Sequence, residues 1–141
     1  AFWFWPNVDA GSDGTSNGIR AFRELEQPKN IHFFKNMEPT DFLKLLNSSK
    51  ALVGNSSAGL RECAYLGLPV INIGNRQFRR SRAGNVTDVE YDQAEIEQAV
   101  TNAINTEKFE SSTLYGNGDA GVKIAEILAT VKLTYSKTIS Y

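Results

Sequence analysis

Short apolar runs that alternate with helical patterns are the feature that most constrains the fold of this chain. Four such runs are FWFW at 2–5, IHFF at 31–34, ALVG at 51–54 and VINIG at 70–74, which follows Pro69. Their apolar residues are mostly consecutive rather than alternating, a pattern typical of strands that are covered on both faces. Such strands separated by helices predict an α/β fold built on a doubly wound parallel sheet.

Amphipathic periodicity predicts the helices that separate and follow these strands. A polar stretch at 7–18 leads into the first helix, another helix begins at a serine-rich turn after residue 54, and a brief extended segment, VTDV, follows an arginine-rich loop. The tail 134–141 shows no period. The other apolar stripes and their caps are Ile19, Phe22 and Leu25; Phe42, Leu43 and Leu46 with Thr40 as N-cap; Ile96, Ala99, Val100, Ala103 and Ile104 behind a capping box of Asp92 and Glu95; and Ile124, Ile127, Leu128 and Val131.

Length, charge and cysteine content narrow the class of protein. A chain of 141 residues is long enough for one buried core and short for two, so we expect a single domain spanning 1–141. A net charge of -1 provides no general attraction to nucleic acid. No apolar run approaches the roughly 20 residues that cross a bilayer, and no secretory signal pattern is present, so we expect a cytoplasmic protein. Cys63 has no disulfide partner and is expected to be a buried, small apolar residue.

The turn GNSSAG at 54–59 is the strongest candidate for a ligand site. In parallel α/β sheets ligands bind beyond the carboxyl ends of the strands, and this turn joins a predicted strand to a helix. Ser56 and Ser57 offer hydroxyl groups, and Ala58 and Gly59 are expected to let a ligand approach the first amides of the helix. An anion, above all a phosphate, would suit such a helix start. The alternative is that Ser57 simply caps the helix.

Two further groups could belong to the same site. Glu62 follows in the second turn of the helix, where its carboxylate could accept two hydrogen bonds from a ribose diol or act only as a surface charge. Arg76 comes just after the next strand and is expected in the site, because arginine forks suit phosphate oxygens. The neighbouring Arg79, Arg80 and Arg82 are interpreted as solvated.

Two common enzyme classes are excluded because the sequence lacks their motifs. A serine hydrolase needs a Gly-x-Ser-x-Gly elbow with its histidine later in the chain, but GNSSA lacks the second glycine and the single histidine, His32, comes earlier. His32 is interpreted as a partly buried strand residue with no metal or base nearby. No Gly-x-Gly-x-x-Gly sequence follows a predicted strand, so the usual fingerprint of dinucleotide-binding enzymes is absent.

The motifs GNSSAGLRE, LGLPVINIGNRQ, GNV and YGNGDA resemble the C-terminal half of the UDP-N-acetylglucosamine 2-epimerases, especially the hydrolysing branch of sialic-acid-type synthesis. The resemblance runs from WPNVDAG to the last helix. It implies a Rossmann-like domain, the C-terminal half of a GT-B-type pair of domains. The usual first strand and helix, with a His-Arg motif, should precede AFWFWP, so we expect a fragment of a longer protein. Arg79 stands where the family pattern has glycine.

The resemblance also implies residue roles. Ser56 and Ser57 hold the diphosphate, Glu62 holds the ribose hydroxyls, and Arg76 lies near the phosphates or the sugar. The backbone around Met37 contacts uracil, Asn7 either faces the sugar side or an effector pocket or forms a turn, and Asp119 is a helix cap rather than a ligand.

Family chemistry removes the C2 proton, expels UDP to give a glycal, and adds water or UDP back with inverted C2. Its acids and bases are expected on the absent upstream segments, so the catalytic residues are unknown and the fragment alone is expected to be inactive. UDP or a UDP-sugar is the expected ligand, with no cofactor, no metal, no nucleic acid and no membrane, in a full-length homo-oligomer. Two alternatives stay open: an inert binding or regulatory module of the same fold, and another GT-B glycosyltransferase.

Overall fold

A computed structural model describes residues 1–7 and 11–133 of the chain. The elements in chain order are β1 (Phe2–Phe4), α1 (Ser12–Glu26), β2 (His32–Phe34), α2 (Pro39–Ser48), β3 (Leu52–Gly54), α3 (Ser57–Leu60), α4 (Glu62–Leu66), β4 (Val70–Ile73), β5 (Val86–Val89), α5 (Gln93–Asn105) and α6 (Ala120–Thr130). The predicted alternation of strands and helices is confirmed, and every strand pair is parallel. The α/β class follows directly from these two facts.

The chain divides into two compact units, Ala1–Leu45 and Leu46–Tyr141. In the first unit β1 pairs with β2 in the register Phe2 to His32 and Phe4 to Phe34. Ile19 on α1 is buried. Helix α1 begins at Ser12, earlier than expected, so most of the polar stretch before Ile19 is helical rather than a connection. The part of that stretch at 8–10 lies outside the described residues, as does the tail 134–141.

Two burial expectations for the first unit are wrong. Leu25, placed on the inner stripe of α1, is 80% exposed near the end of the helix. His32 is exposed rather than partly buried, and its ring lies beside Phe2 at a centroid distance of 5.7 Å. Periodicity assigns a residue to one face of an element, but it does not say whether another element covers that face.

The second unit is built on the three-stranded sheet β3-β4-β5, with β4 in the centre. Gly54 lies opposite Asn72, and Asn72 opposite Asp88, so the three strands end at one edge. Ile71, Val89 and Ala99 form a buried cluster between the sheet and α5. Cys63 is fully buried, as predicted from its apolar character.

Helix boundaries differ from the sequence expectations in two places. Thr40 is not the N-cap of α2, because Pro39 already occupies the first helical position, where its fixed φ is favourable. Asp92 does cap α5, since its carboxylate accepts a hydrogen bond of 2.9 Å from the Glu95 amide. The reciprocal bond of the capping box goes elsewhere: the Glu95 carboxylate accepts from the Glu90 amide at 2.8 Å.

Apolar side chains stay exposed at several predicted helical positions. Leu43 on α2 and Ile104 on α5 are both exposed. Helix α6 forms as predicted, but its stripe is open to solvent at Ile124, Ile127, Leu128 and Val131. Asp119 precedes α6 without a capping hydrogen bond and instead pairs with Lys123 at 2.7 Å. Across residues 1–7 and 11–133, none of the helices has the length and apolar character that a membrane span requires.

Candidate functional site

The serine loop, residues 54–59, leaves the carboxyl end of β3. Gly54 has a φ of 142°, in the left-handed region that favours glycine, and this allows the abrupt turn out of the strand. Ser56 occupies the N-cap position of α3, and its hydroxyl oxygen accepts a hydrogen bond of 3.3 Å from the Ala58 amide. The capping serine is therefore Ser56 and not Ser57. Ser56 is exposed and Ser57 half-buried, so the loop is accessible to a ligand.

The helix that was expected after the serine loop is interrupted. Helix α3 ends at Leu60, Arg61 has φ of -99° and ψ of -71°, and α4 begins at Glu62. A four-residue helix has too few aligned peptides for a large dipole, so attraction for an anion must come from individual amides and side chains. Among the described residues, the Ser57 amide and hydroxyl have no hydrogen-bond partner, which leaves them available to a ligand.

Gly59 is needed for packing against the sheet, a role that the sequence did not predict. It is buried, and a Cβ built on it would lie 2.8 Å from Cγ1 of Val70 on β4. The absence of a side chain lets α3 lie directly against the central strand. The serine loop is consequently held to the sheet on its helical side as well as through β3.

Glu62 lies at the first position of α4 and is half-buried. Its Oε1 accepts a hydrogen bond of 2.9 Å from the Arg61 guanidinium, which raises the pKa of Arg61. Its Oε2 is buried and has no hydrogen-bond partner within the described part of the chain. One carboxylate oxygen is therefore occupied by a neighbour, and the other has unused hydrogen-bonding capacity.

The arginine loop, residues 75–85, begins at the carboxyl end of β4 and is hydrogen-bonded to the serine loop. Arg76 is exposed at its start. The next residue, Gln77, is buried, and its Nε2 donates a hydrogen bond of 2.7 Å to the carbonyl oxygen of Asn55. This bond brings the segment of Arg76 beside the segment of Ser56 and Ser57. Gln77 is the last residue of the motif LGLPVINIGNRQ, which by itself indicates no role for this side chain.

Arg82 binds the arginine loop to β5. It is therefore not solvated, and the sequence interpretation of this residue is wrong. Its Nε and Nη2 donate to the two carboxylate oxygens of Asp88 on β5 at 2.6 and 3.0 Å, and Nη1 donates to the Arg80 carbonyl at 2.6 Å. The buried amide of Asn72 donates to the same carboxylate at 2.6 Å. Burial alone would raise the pKa of Asp88, but the hydrogen bonds from Arg82 and Asn72 outweigh it and the pKa lies below its ordinary value.

Arg79 and Arg80 are exposed, in agreement with the solvated interpretation. Arg79 has a φ of 62°, a left-handed conformation that favours the glycine of the family pattern. Its guanidinium lies 5.5 Å from the ring centroid of Phe78.

A third segment, not anticipated from the sequence, supports the arginine loop. The Phe109 and Ser112 amides donate to the carbonyls of Gly67 and Ala64. Farther along, the Tyr115 hydroxyl donates a hydrogen bond of 2.6 Å to the Ser81 carbonyl. Tyr115, the first residue of the YGNGDA motif, therefore binds the arginine loop at Ser81.

Asn7 and Met37 belong to the first unit. Asn7 follows β1 and is exposed, and Met37 follows β2 and is half-buried. The Met37 amide donates a hydrogen bond of 2.9 Å to the Asn36 side chain. Their ligand roles remain predictions.

These features define the chain as a parallel α/β protein whose polar loops gather at the carboxyl edge of its three-stranded sheet. The family model described as UDP-N-acetylglucosamine 2-epimerase matches residues 5–129, and the chain belongs to that family. The resemblance drawn from the sequence motifs is thus confirmed.

Curated relatives and a solved structure agree with this assignment. The chain is 31% identical to the UDP-N,N'-diacetylbacillosamine 2-epimerase (hydrolyzing) of Legionella pneumophila, covering 91% of this chain and 33% of the relative. It is 31% identical to the UDP-N-acetylglucosamine 2-epimerase of Neisseria meningitidis, covering 82% and 29%. The UDP-GlcNAc 2-epimerase structure from Methanocaldococcus jannaschii shares the fold, with a TM-score of 0.63 at 19% identity, over 87% of this chain and 34% of that one. The chain spans about a third of the length of these relatives.

Proposed function

We propose that this chain is the nucleotide-sugar-binding part of a UDP-N-acetylglucosamine 2-epimerase, folded as a domain within residues 1–141. The observation that carries the proposal is the hydrogen bond of 2.7 Å from Gln77 to the Asn55 carbonyl. It joins the serine loop to the arginine loop at the sheet edge where parallel α/β proteins bind their ligands. The bond thereby brings the segment of Arg76 beside the segment that carries the serine hydroxyls and the Ser57 amide, and these are the kinds of donor from which a diphosphate accepts hydrogen bonds.

Each polar group of the site has a role in this proposal. Ser56 and Ser57 bind the diphosphate, and Arg76 offsets its negative charge. Glu62 accepts hydrogen bonds from the ribose hydroxyls, which supply the partner that its buried Oε2 lacks within residues 1–7 and 11–133. On the resemblance alone, the proposal extends to a uracil contact by the backbone near Met37 and to a sugar or effector contact by Asn7.

For the whole protein we propose inversion at C2 through a glycal. Loss of the C2 proton and cleavage of the bond from C1 to the UDP oxygen form the double bond. Water then adds, its oxygen to C1 and a proton to the opposite face of C2, and N-acetylmannosamine or a related 2-acetamido sugar is released. A relative named as hydrolyzing supports release over return of a UDP-sugar. We assign no catalytic residue here and expect the chain alone to be inactive, as part of a cytoplasmic homo-oligomer that serves cell-surface polysaccharide synthesis.

Calorimetric titration of the chain with UDP tests the binding proposal. We expect millimolar or tighter binding that weakens about tenfold in Glu62→Gln, because a hydrogen bond to a charged group is lost. The exposed carboxylate of Glu107 provides a matched control, and Glu107→Gln should bind UDP as the parent does. Absence of heat at millimolar UDP contradicts the proposal. Unchanged affinity in Glu62→Gln, together with a preference for an unrelated ligand, would favour a binding or regulatory module instead.

A further inference from the structure

The segment between α5 and α6 contains an asparagine followed by a glycine, the pair in which an asparagine side chain is chemically least stable. The backbone nitrogen of the next residue can attack the side-chain carbonyl carbon, and glycine favours this because it has no side chain to block the approach. The sequence contains two such pairs, Asn17-Gly18 and Asn117-Gly118. They lie in different backbone environments, so their reactivity should differ.

The second pair, Asn117-Gly118, leaves its attacking nitrogen uncovered. Both residues are exposed and lie outside any helix or strand. Gly118 has a φ of 90°, and a Cβ built on it would meet no heavy atom within 4 Å beyond its chain neighbours. Over the described ranges 1–7 and 11–133, the Gly118 amide has no hydrogen-bond partner. Neither packing nor hydrogen bonding therefore opposes a movement of this nitrogen toward the asparagine side chain.

The Asn117 side chain is held only by a local contact. In the orientation that satisfies both groups, its amide nitrogen donates a hydrogen bond of 3.1 Å to Oδ2 of Asp119, two residues along the chain. Asp119 is also paired with Lys123 on the exposed surface. A surface hydrogen bond of this kind is readily exchanged for one with water. The side chain is therefore free to turn its carbonyl carbon toward Gly118.

The first pair, Asn17-Gly18, is protected by helix α1. Both residues lie inside Ser12–Glu26, where the amide of Gly18 donates to a carbonyl one turn earlier. Helical backbone holds ψ of Asn17 at about -42°, which points the next nitrogen away from the side-chain carbonyl carbon. The Asn17 Oδ1 also accepts a hydrogen bond of 3.2 Å from the Arg20 guanidinium. Attack at Asn17 therefore requires local opening of α1.

We propose that Asn117 is a site of spontaneous deamidation in the folded chain and that Asn17 is protected from it. The Gly118 nitrogen loses its proton and bonds to Cγ of Asn117, while the bond from Cγ to Nδ2 breaks and the nitrogen leaves as ammonia after gaining a proton. A water molecule then opens the five-membered imide at either carbonyl, which gives aspartate or isoaspartate. One neutral amide becomes one carboxylate, so the net charge changes from -1 to -2.

The product alters the segment that binds the arginine loop. Tyr115, whose hydroxyl donates to the Ser81 carbonyl, precedes the site by two residues. A carboxylate at position 117 offers Lys123 a second partner beside Asp119. Isoaspartate also lengthens the backbone between Tyr115 and α6 by a methylene group. The chemistry of this segment therefore changes with the age of the molecule and needs no enzyme.

Incubation of the folded chain at pH 8 in ¹⁸O-labelled water, followed by tryptic digestion in ordinary water and mass spectrometry, measures both asparagines in one sample. Trypsin releases them in separate peptides, 1–20 and 109–123. We expect labelled aspartate and isoaspartate to form at Asn117 at least about tenfold faster than at Asn17, a ratio that corresponds to an opening free energy of about 1.4 kcal/mol for α1. In urea, where α1 is absent, the two rates should become similar.

Two variants identify the reacting groups. Asn117→Gln should abolish labelling of peptide 109–123, because the larger ring that glutamine would need closes much more slowly, and Asn17→Gln should leave that labelling unchanged. Equal rates at the two asparagines in the folded chain overturn the proposal. So does an Asn117 that stays unlabelled in the folded chain while the urea-unfolded chain is converted. The proposed function is independent of these results, since Asn117 has no part in it.

Discussion

The contact between Gly59 and Val70 offers the sharpest test of how the serine loop is held. Replacing Gly59 with alanine places a methyl group 2.8 Å from Cγ1 of Val70, which is 0.6 Å short of the 3.4 Å where ordinary contact begins. Neither partner can yield easily, because Gly59 is buried in α3 and Val70 is hydrogen-bonded within the central strand. Overpacking of this kind costs about 1 to 3 kcal/mol of unfolding free energy.

Val70→Ala gives the matching half of the experiment. It removes two buried methyl groups, which costs about 2 kcal/mol once the remaining cavity is included. In the double variant the methyl group added by Gly59→Ala fills part of that cavity and the clash disappears. We therefore expect the double variant to be destabilised by only about 2 kcal/mol, so that the two changes are coupled by about 1 to 3 kcal/mol.

Urea unfolding followed by circular dichroism measures all four proteins of this cycle. Gly121→Ala is the control, because the space around Gly121 on α6 is open and the change should be neutral or slightly stabilising. The reasoning is refuted if Gly59→Ala is as harmless as Gly121→Ala, or if the free energies of the two single changes add in the double variant.

Three other predictions follow from the structure. Burial, together with the charge of Glu62, raises the pKa of the Cys63 thiol to about 12; iodoacetamide at pH 8 should therefore alkylate the folded chain at least about a hundredfold more slowly than the chain in urea, and equal rates would contradict this. The lowered pKa of Asp88 stabilises the fold above the ordinary carboxyl value near 4, and this stability is lost as the pH falls through the lower folded value. Urea midpoints at pH 7 and pH 3 should consequently differ less in Asp88→Asn than in the parent. An equal difference in the two proteins would show that the ion pair of Asp88 with Arg82 does not contribute to the pH dependence of stability. Arg79→Gly should stabilise the chain by roughly 0.5 to 1 kcal/mol, because the relief of the left-handed φ exceeds the cost of the greater backbone entropy of the unfolded chain. Thermal unfolding measures this change. Arg80→Gly is the control, because φ at Arg80 is not positive and stability should fall there.

The assignment to the epimerase family and the geometry of the site address different questions. Family membership is given by the match over residues 5–129. How the chain would bind a nucleotide depends on contacts that the motifs do not predict, such as the hydrogen bond between Gln77 and Asn55. Calorimetric titration with UDP therefore examines the site itself, independently of the family.

The sequence by itself determined the order of strands and helices and their parallel arrangement. Apolar runs, prolines and caps are local signals, and each element carries its own, as the Asp92 cap of α5 shows. It also determined that Cys63 is buried and that Ser56 and Ser57 lie in an accessible turn at a strand end.

Only the tertiary structure decided how the loops are fixed. The break at Arg61, the use of Gly59 against Val70 and the binding of Arg82 by Asp88 and Asn72 each depend on residues that meet because β3, β4 and β5 pair in one register. Exposure at His32, Leu25 and Phe78 likewise depends on which faces other elements cover. Local patterns specify which face of an element is apolar, whereas contacts between distant segments are set by strand pairing and packing, which no short stretch of sequence contains.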